Sequence, residues 1–140
     1  MPISALHAGR TYPPTEPYEV STAKIAEFAA AIQETNPAYA GDDAVAPPTF
    51  AAVVAARAWE RLFADPELDL ALHRVVHGDQ SFVWHRPLRA GDRVVGTLTI
   101  DKVRSRGAVE MVSVTVHLAT PEGEPLCDAA STLVHTREAA

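Results

Sequence analysis

The sequence predicts an α+β fold in which a curved antiparallel sheet wraps around a long apolar helix. Three observations point there. The run Phe50-Ala51-Ala52-Val53-Val54-Ala55-Ala56 has no polar side chain, so a helix over it needs both faces out of water. Later segments around Ser81–His85, Arg93–Val103 and Val112–Leu118 alternate apolar with polar residues, as half-buried strands do, and Pro121-Glu122-Gly123 turns the chain into a last strand, roughly Pro125–His135. The turns between them are short, which demands antiparallel pairing. Only a sheet that curves covers such a helix on two sides, and helix and strands segregated along the chain make the class α+β.

Composition narrows the function. At 140 residues, 47% of them hydrophobic and 21% charged, the chain suits one globular domain able to bury its own core. The net charge of −6 and the 6% aromatic content argue against nucleic acid, which asks for a basic face and stacking platforms. No apolar run is long enough to span a bilayer. The start, Met1-Pro2-Ile3-Ser4-Ala5-Leu6-His7, lacks the pattern of a signal peptide. One cysteine, Cys127, allows no internal disulfide. The expected compartment is the cytoplasm.

In order along the chain, residues 1–20 hold Pro13, Pro14 and Pro17, which favour an extended arm. Ser21 is placed to cap a helix whose apolar face is Ile25, Phe28, Ala29 and Ile32, and Asn36-Pro37 should stop it. Thr49 is the expected cap of the apolar helix. Polar residues return to that helix at Arg57, Glu60 and Arg61, and Asp65-Pro66 ends it. In the strands, Val94, Gly96, Leu98 and Ile100 share one face, as do Val112, Val114, Val116 and Leu118. Pro87 with Gly91-Asp92, and Pro121-Glu122-Gly123, mark turns. Such a sheet has open edges, which homo- or heterodimerisation usually covers.

The segment Val76-His77-Gly78-Asp79-Gln80-Ser81-Phe82-Val83-Trp84-His85-Arg86-Pro87-Leu88-Arg89-Ala90-Gly91-Asp92 closely resembles the signature of the MaoC-like dehydratase N-terminal family. Supporting matches follow the family's order: Gly9-Arg10-Thr11-Tyr12, Pro17-Tyr18-Glu19-Val20, Asn36-Pro37-Ala38-Tyr39 and Ala46-Pro47-Pro48-Thr49-Phe50. The resemblance implies a single hotdog domain over residues 1–140, with 1–20 as an arm. Within the family the chain looks like the A- or C-type acyl-binding subunits of actinobacterial (3R)-hydroxyacyl-carrier-protein dehydratase.

One departure from that family matters most. Catalytic members resemble Gly-Asp-x-Asn-Pro-x-His, whose aspartate and histidine form the dyad for water loss. On this chain the motif falls on Gln33-Glu34-Thr35-Asn36-Pro37-Ala38-Tyr39. Asn36 and Pro37 are kept, but Glu34 replaces the aspartate and Tyr39 the histidine. Dehydration needs a base for the C2 proton and an acid for the leaving hydroxyl, and imidazole serves both near neutral pH. A phenol with a pKa of about 10 is a poor base there. The extra methylene of Glu34 misplaces its carboxylate, and an error of about 1 Å can cost on the order of 100-fold.

The resemblance therefore implies a non-catalytic, acyl-binding subunit whose hotdog partner supplies the dyad. Asn36, Tyr39, Pro48, Thr49 and Phe50 are expected to border the acyl tunnel, although Asn36 and Tyr39 also read as turn residues and Thr49 as a cap. The start of the apolar helix offers free N–H groups that could polarise a thioester carbonyl. The connection Ala40–Val45 is shorter than in related acyl-binding subunits, which implies a more open pocket.

Other residues admit two readings each. His77 and Asp79, two apart on a strand, should share a face; they suit a structural role at the dimer seam better than a relocated base and its carboxylate. Gln80 reads as a buried polar group seeking backbone partners. Arg86, Arg89 and Arg93, with Arg104 and Arg106 beyond, form either a solvated face or a landing patch for an acidic carrier protein or a cofactor phosphate. His85, His117 and His135 lie on different strands, so no metal is expected, and no cofactor motif is visible. Cys127 fits a small core residue.

The expected function is thus a subunit of a heterodimeric (3R)-hydroxyacyl-thioester dehydratase acting on carrier-protein or coenzyme A thioesters in fatty-acid or polyketide elongation. A self-sufficient homodimeric hydratase, a non-enzymatic acyl-thioester-binding module and a thioesterase stay open beside it, because fold alone does not choose among them.

Overall fold

The computed structural model describes residues 2–138. Strand β1 (Tyr18–Glu19) and helix α1 (Thr22–Ala31) precede helix α2 (Ala51–Ala64). Strands β2 (Val75–Trp84), β3 (Arg93–Arg106), β4 (Val109–Ala119) and β5 (Pro125–Thr136) follow. They form one antiparallel sheet in the order β1-β3-β4-β5-β2, with α2 packed against β3, β4 and β5. This is the expected hotdog arrangement.

Alternation places the core as the sequence predicts. Val94, Leu98 and Ile100 of β3 and Val112, Val114, Val116 and Leu118 of β4 point inward and are buried. They meet Ala51, Val54, Ala55, Ala58 and Leu62 of α2. Gly96 is enclosed between the sheet and α2: a Cβ there would press on Val116 Cγ1 of the neighbouring strand at 3.1 Å and reach ordinary contact with Ala58 Cβ of the helix at 3.6 Å. Gly96→Val is therefore expected to overpack this seam and cost about 1–3 kcal/mol, seen as a lower urea midpoint at unchanged m.

The prediction that α2 is covered all round is corrected. Val53 is 37% exposed and Ala56 lies in the open, because the sheet of one chain curves over a single side of the helix. Two boundaries also move. Ser21 caps α1 by accepting the Lys24 N–H, but the helix stops before Asn36-Pro37. Gln33 adopts a left-handed backbone (φ 58°), its N–H donating to Ala30 O and that of Glu34 to Ala29 O. That is a complete C-terminal capping motif, and it leaves Ile32, expected on the apolar face, 46% exposed. Nor does Thr49 cap α2: Pro48–Phe50 forms a 3-10 turn, Phe50 occupies the cap position, and no side chain makes a capping bond.

The two sheet edges differ. The N-terminal arm runs antiparallel beside β3, with Gly9 N–H donating to Ile100 O, Tyr12 N–H to Leu98 O and Thr15 N–H to Gly96 O. One edge is thereby closed. At the other edge β2 has β5 as its one strand neighbour, the kind of edge that recruits another chain.

Candidate functional site

The Arg86–Asp92 turn organises the region around the start of α2. Arg86 donates to both carboxylate oxygens of Asp92 (2.8 and 3.1 Å) and to Glu124 (3.0 Å). Asp92 also accepts the Arg89 N–H at 2.7 Å. Gly91, at φ 93°, turns the chain in a conformation that side chains resist. The turn then pins its neighbours: Gly91 N–H donates to Val20 O, Ala90 N–H to Ala44 O, and Ala46 N–H to Leu88 O. Pro47-Pro48 and the first turn of α2 are fixed by these bonds.

Burial disfavours the charge of Asp92, but the bonds from Arg86 and from the Arg89 N–H outweigh it and hold the carboxyl below its usual range. Asp65 behaves alike: burial is overcome by Tyr12 O–H (2.6 Å) and Arg10 (2.8 Å). A carboxyl whose native pKa lies below its unfolded value of about 3.9 contributes stability above that value and loses it as the pH falls through the native one. The share of stability these two groups supply is expected to hold down to about pH 5 and to drain away below about pH 4. Urea midpoints between neutral and strongly acid pH check this, and Asp92→Asn should flatten part of the acid limb.

The segment that would carry a dyad lies beside α1. After Gln33 the chain reverses, and Asn36 Oδ1 accepts the Ala38 N–H at 2.9 Å, which shapes the 3-10 turn Pro37–Tyr39. Glu34, Asn36 and Tyr39 line one open cavity of about 230 Å³ with Ala29 and Ala30. Val45 N–H donates to Ala38 O, so the short Ala40–Val45 connection folds back against this turn. A second, apolar cavity of about 120 Å³ is lined by Ala46, Pro48, Trp84 and Pro87. The α2 start carries no acidic residue in its first turn and no side-chain cap, so its N–H groups are free of side-chain partners. Together the site offers a small apolar recess, a helix start suited to an anionic or carbonyl oxygen, and a separate recess that holds Glu34, Asn36 and Tyr39 and lacks an imidazole.

A family model described as the FAS1-like, dehydratase domain region matches residues 7–129. A UPF0336 protein of Cutibacterium acnes is 53% identical over 137 residues, covering 98% of this chain and 96% of that protein. The chain is also similar to one in the crystal structure of the C-terminally truncated HadBC (3R-hydroxyacyl-ACP dehydratase) complex from Mycobacterium tuberculosis. Identity is 27%, TM-score 0.79, and coverage 91% of this chain and 96% of that one. This chain belongs to the MaoC-like hotdog dehydratase family. A solved MaoC-like dehydratase, at 24% identity and TM-score 0.82, shares the fold over 93% of this chain and 42% of its own.

Among the expected site residues of this MaoC-like protein, Glu34, Asn36 and Tyr39 come together, while Pro48 lines the other cavity. Thr49 is exposed. Phe50 is fully buried, packed on Phe28 at 5.3 Å and Tyr18 at 6.4 Å between ring centroids; it is a core anchor with no surface open to a ligand in this chain. Arg86 is engaged by Asp92 and Glu124, so its charge serves the turn, whereas Arg89 and Arg93 are exposed.

The expectation that His77 and Asp79 share a face is corrected by a bulge. Their register slips at Gly78, so His77 pairs with inward Leu133 and Asp79 with outward Thr132. His77 rests edge-on against Trp59 of α2 (ring centroids 5.0 Å), and Asp79 accepts the Thr132 N–H at 2.8 Å. Gln80 is half-buried rather than buried, and its partners are not all backbone: its amide donates to Ala130 O (3.0 Å) and accepts the Ser131 hydroxyl (2.6 Å).

The three histidines do not meet at one point. His85 and His117 flank Asp128 on the outer face, while His135 is buried on Glu110. Among the described residues no group of three or more His, Cys, Asp or Glu is placed to hold a metal ion. Burial, helped by neighbouring Asp128, pushes the Cys127 thiol up to about 11, so it stays protonated inside the core. No helix among the described residues is long and apolar enough to cross a membrane.

Sequence reasoning missed the buried Glu110–His135–Arg137 cluster. The available signal was phase, since Glu110 and His135 keep the inward register of Val112 and Leu133.

Proposed function

We propose that this chain is the acyl-binding, non-catalytic subunit of a heterodimeric (3R)-hydroxyacyl-thioester dehydratase, paired with a hotdog chain that keeps the aspartate and histidine. One observation carries the reading: the segment onto which the family's dyad motif falls lines a recess with Glu34 and Tyr39 in place of aspartate and histidine. A phenol cannot shuttle protons near neutral pH as imidazole does. The relocated alternative loses its support, because His77 and Asp79 point to opposite faces. The open β2 edge, with His77, Asp79 and Gln80 along it, is where the partner sheet joins. The similar HadBC structure is itself a complex, which supports the pairing.

In this reading the acyl chain lies along the Pro48 and Trp84 recess, with the Asn36 and Tyr39 recess as a separate opening. The thioester carbonyl meets the N–H groups at the start of α2. Arg89 and Arg93 receive the acidic carrier protein or the phosphates of coenzyme A. The experiment is a comparison of the purified chain with the complex it forms with a dyad-bearing hotdog, using a 3-hydroxyacyl thioester and following enoyl absorbance. Saturable binding without turnover alone, and turnover in the complex, are expected. Robust dehydration by the isolated chain overturns the proposal.

A further inference from the structure

The far end of the β3–β4 hairpin carries a feature that acyl binding does not use. Lys102, Arg104 and Arg106 follow one another on the outer face of β3, opposite Ser113, Met111 and Val109 of β4. None of the three cations lies within salt-bridge reach of a carboxylate among the described residues. Of the other cations, Arg10, Lys24, Arg74, Arg86 and Arg137 are paired with acids. Among the described residues Arg57, Arg61, Arg89 and Arg93 are not, but only Lys102, Arg104 and Arg106 stand in a row on one face of one strand. In a chain of net charge −6, a row of uncompensated cations is a local reversal of sign. Beside it Met111 is 44% and Val109 37% exposed, and with Arg104 and Arg106 they line an open groove of about 820 Å³.

We infer that this groove docks an amphipathic helix of a partner protein, its apolar stripe on Met111 and Val109 and its acidic edge on Lys102, Arg104 and Arg106. The spacing fits. Cations two residues apart on a strand are separated by about 6.8 Å, near the rise of about 6.0 Å between side chains four residues apart on a helix. A helix about 10 Å across covers two strands about 4.8 Å apart, so one edge of it meets the cations while its underside meets the apolar column. Guanidinium and carboxylate then form two-pronged bonds. A bare phosphate backbone would match the cations but leave the apolar column uncovered.

The probe is a fluorescent synthetic helix of about 18 residues, five turns, with a leucine stripe edged by glutamates at every fourth position. A control peptide carries lysine in place of each glutamate, and a DNA duplex of similar length stands for a phosphate polymer. Fluorescence anisotropy is expected to show binding of the acidic helix, none of the lysine control, and a loss of at least about tenfold between about 0.05 M and 0.5 M salt. The triple variant Lys102→Glu, Arg104→Glu, Arg106→Glu should weaken binding about tenfold or more, and Met111→Ser severalfold. Should the triple variant fold poorly by circular dichroism, Arg104→Gln with Arg106→Gln replaces it.

Failure of the acidic helix to bind, equal binding of the lysine control, or tighter binding of the duplex overturns the inference. Charge reversal that weakens binding while Met111→Ser leaves it untouched overturns it as well, since the groove would then be a diffuse cationic surface. The measurement involves neither turnover nor the β2 edge, so its outcome is independent of the dehydratase reading.

Discussion

Arg137→Ala is expected to lower the free energy of unfolding by about 3 kcal/mol. Glu110 is 4% exposed, and its two carboxylate oxygens are held by His135 Nδ1 at 3.0 Å and Arg137 Nε at 2.9 Å. His135 Nε2 accepts the Ala71 N–H at 3.1 Å, which assigns the ring proton to Nδ1, facing Glu110. Arg137 donates further to Leu68 O and Asp69 O, tying the connection between α2 and β2 to the end of the sheet. Removing the guanidinium strands a desolvated carboxylate on one neutral donor, and that penalty exceeds what the pair contributes when intact. The estimate sits at the lower end of the range for buried pairs because the Arg137 side chain keeps 22% of its exposure. Adding Glu110→Gln to Arg137→Ala should recover part of the loss, since no charge is then buried alone. Urea titrations of the wild type and the two variants measure it. A loss under about 1 kcal/mol for Arg137→Ala would class the contact with solvated surface bridges.

Such clusters are what the sequence hides, and the reason is separation along the chain. Glu110 meets His135 across 25 residues, Arg10 meets Asp65 across 55, and Arg137 meets Asp69 across 68, whereas periodicity reports on neighbours. Where neighbours decide, pattern suffices: alternation locates β3 and β4 and puts Val94, Leu98 and Val116 inside, while the Pro121-Glu122-Gly123 turn announces β5. It lost the first half of β2, because the bulge at Gly78 breaks the period of two. The same bulge turned an apparent His77–Asp79 pair to opposite faces. Thr49 looked like a cap from its place before an apolar run, yet Pro47-Pro48 enters a 3-10 turn that moves the helix start beyond it. For the site, motif order brought Glu34, Asn36 and Tyr39 to one recess. The role of Arg86 as the clasp of its own turn emerged only once Asp92 and Glu124 were seen on either side of it.

In a complex with a dyad-bearing hotdog, replacing the partner's histidine by alanine is expected to lower turnover about 100- to 10,000-fold, while Tyr39→Phe in this chain changes kcat less than about threefold. The contrast follows from what each group can do to a proton. Imidazole exchanges one near neutral pH, and its removal deletes both the base for C2 and the acid for the leaving hydroxyl. Tyr39 sits partly buried at the rim of its recess, and its phenol contributes shape that phenylalanine keeps. Trp84→Ala in this chain should act differently from either, raising KM more than it lowers kcat, because it widens an apolar wall that in the proposed reading would bind ground state and transition state alike. Steady-state kinetics of the three complexes, each checked for intact assembly, separate these effects. A drop of about 100-fold in kcat from Tyr39→Phe would make the phenol a proton-transfer group and this chain a catalyst in its own right.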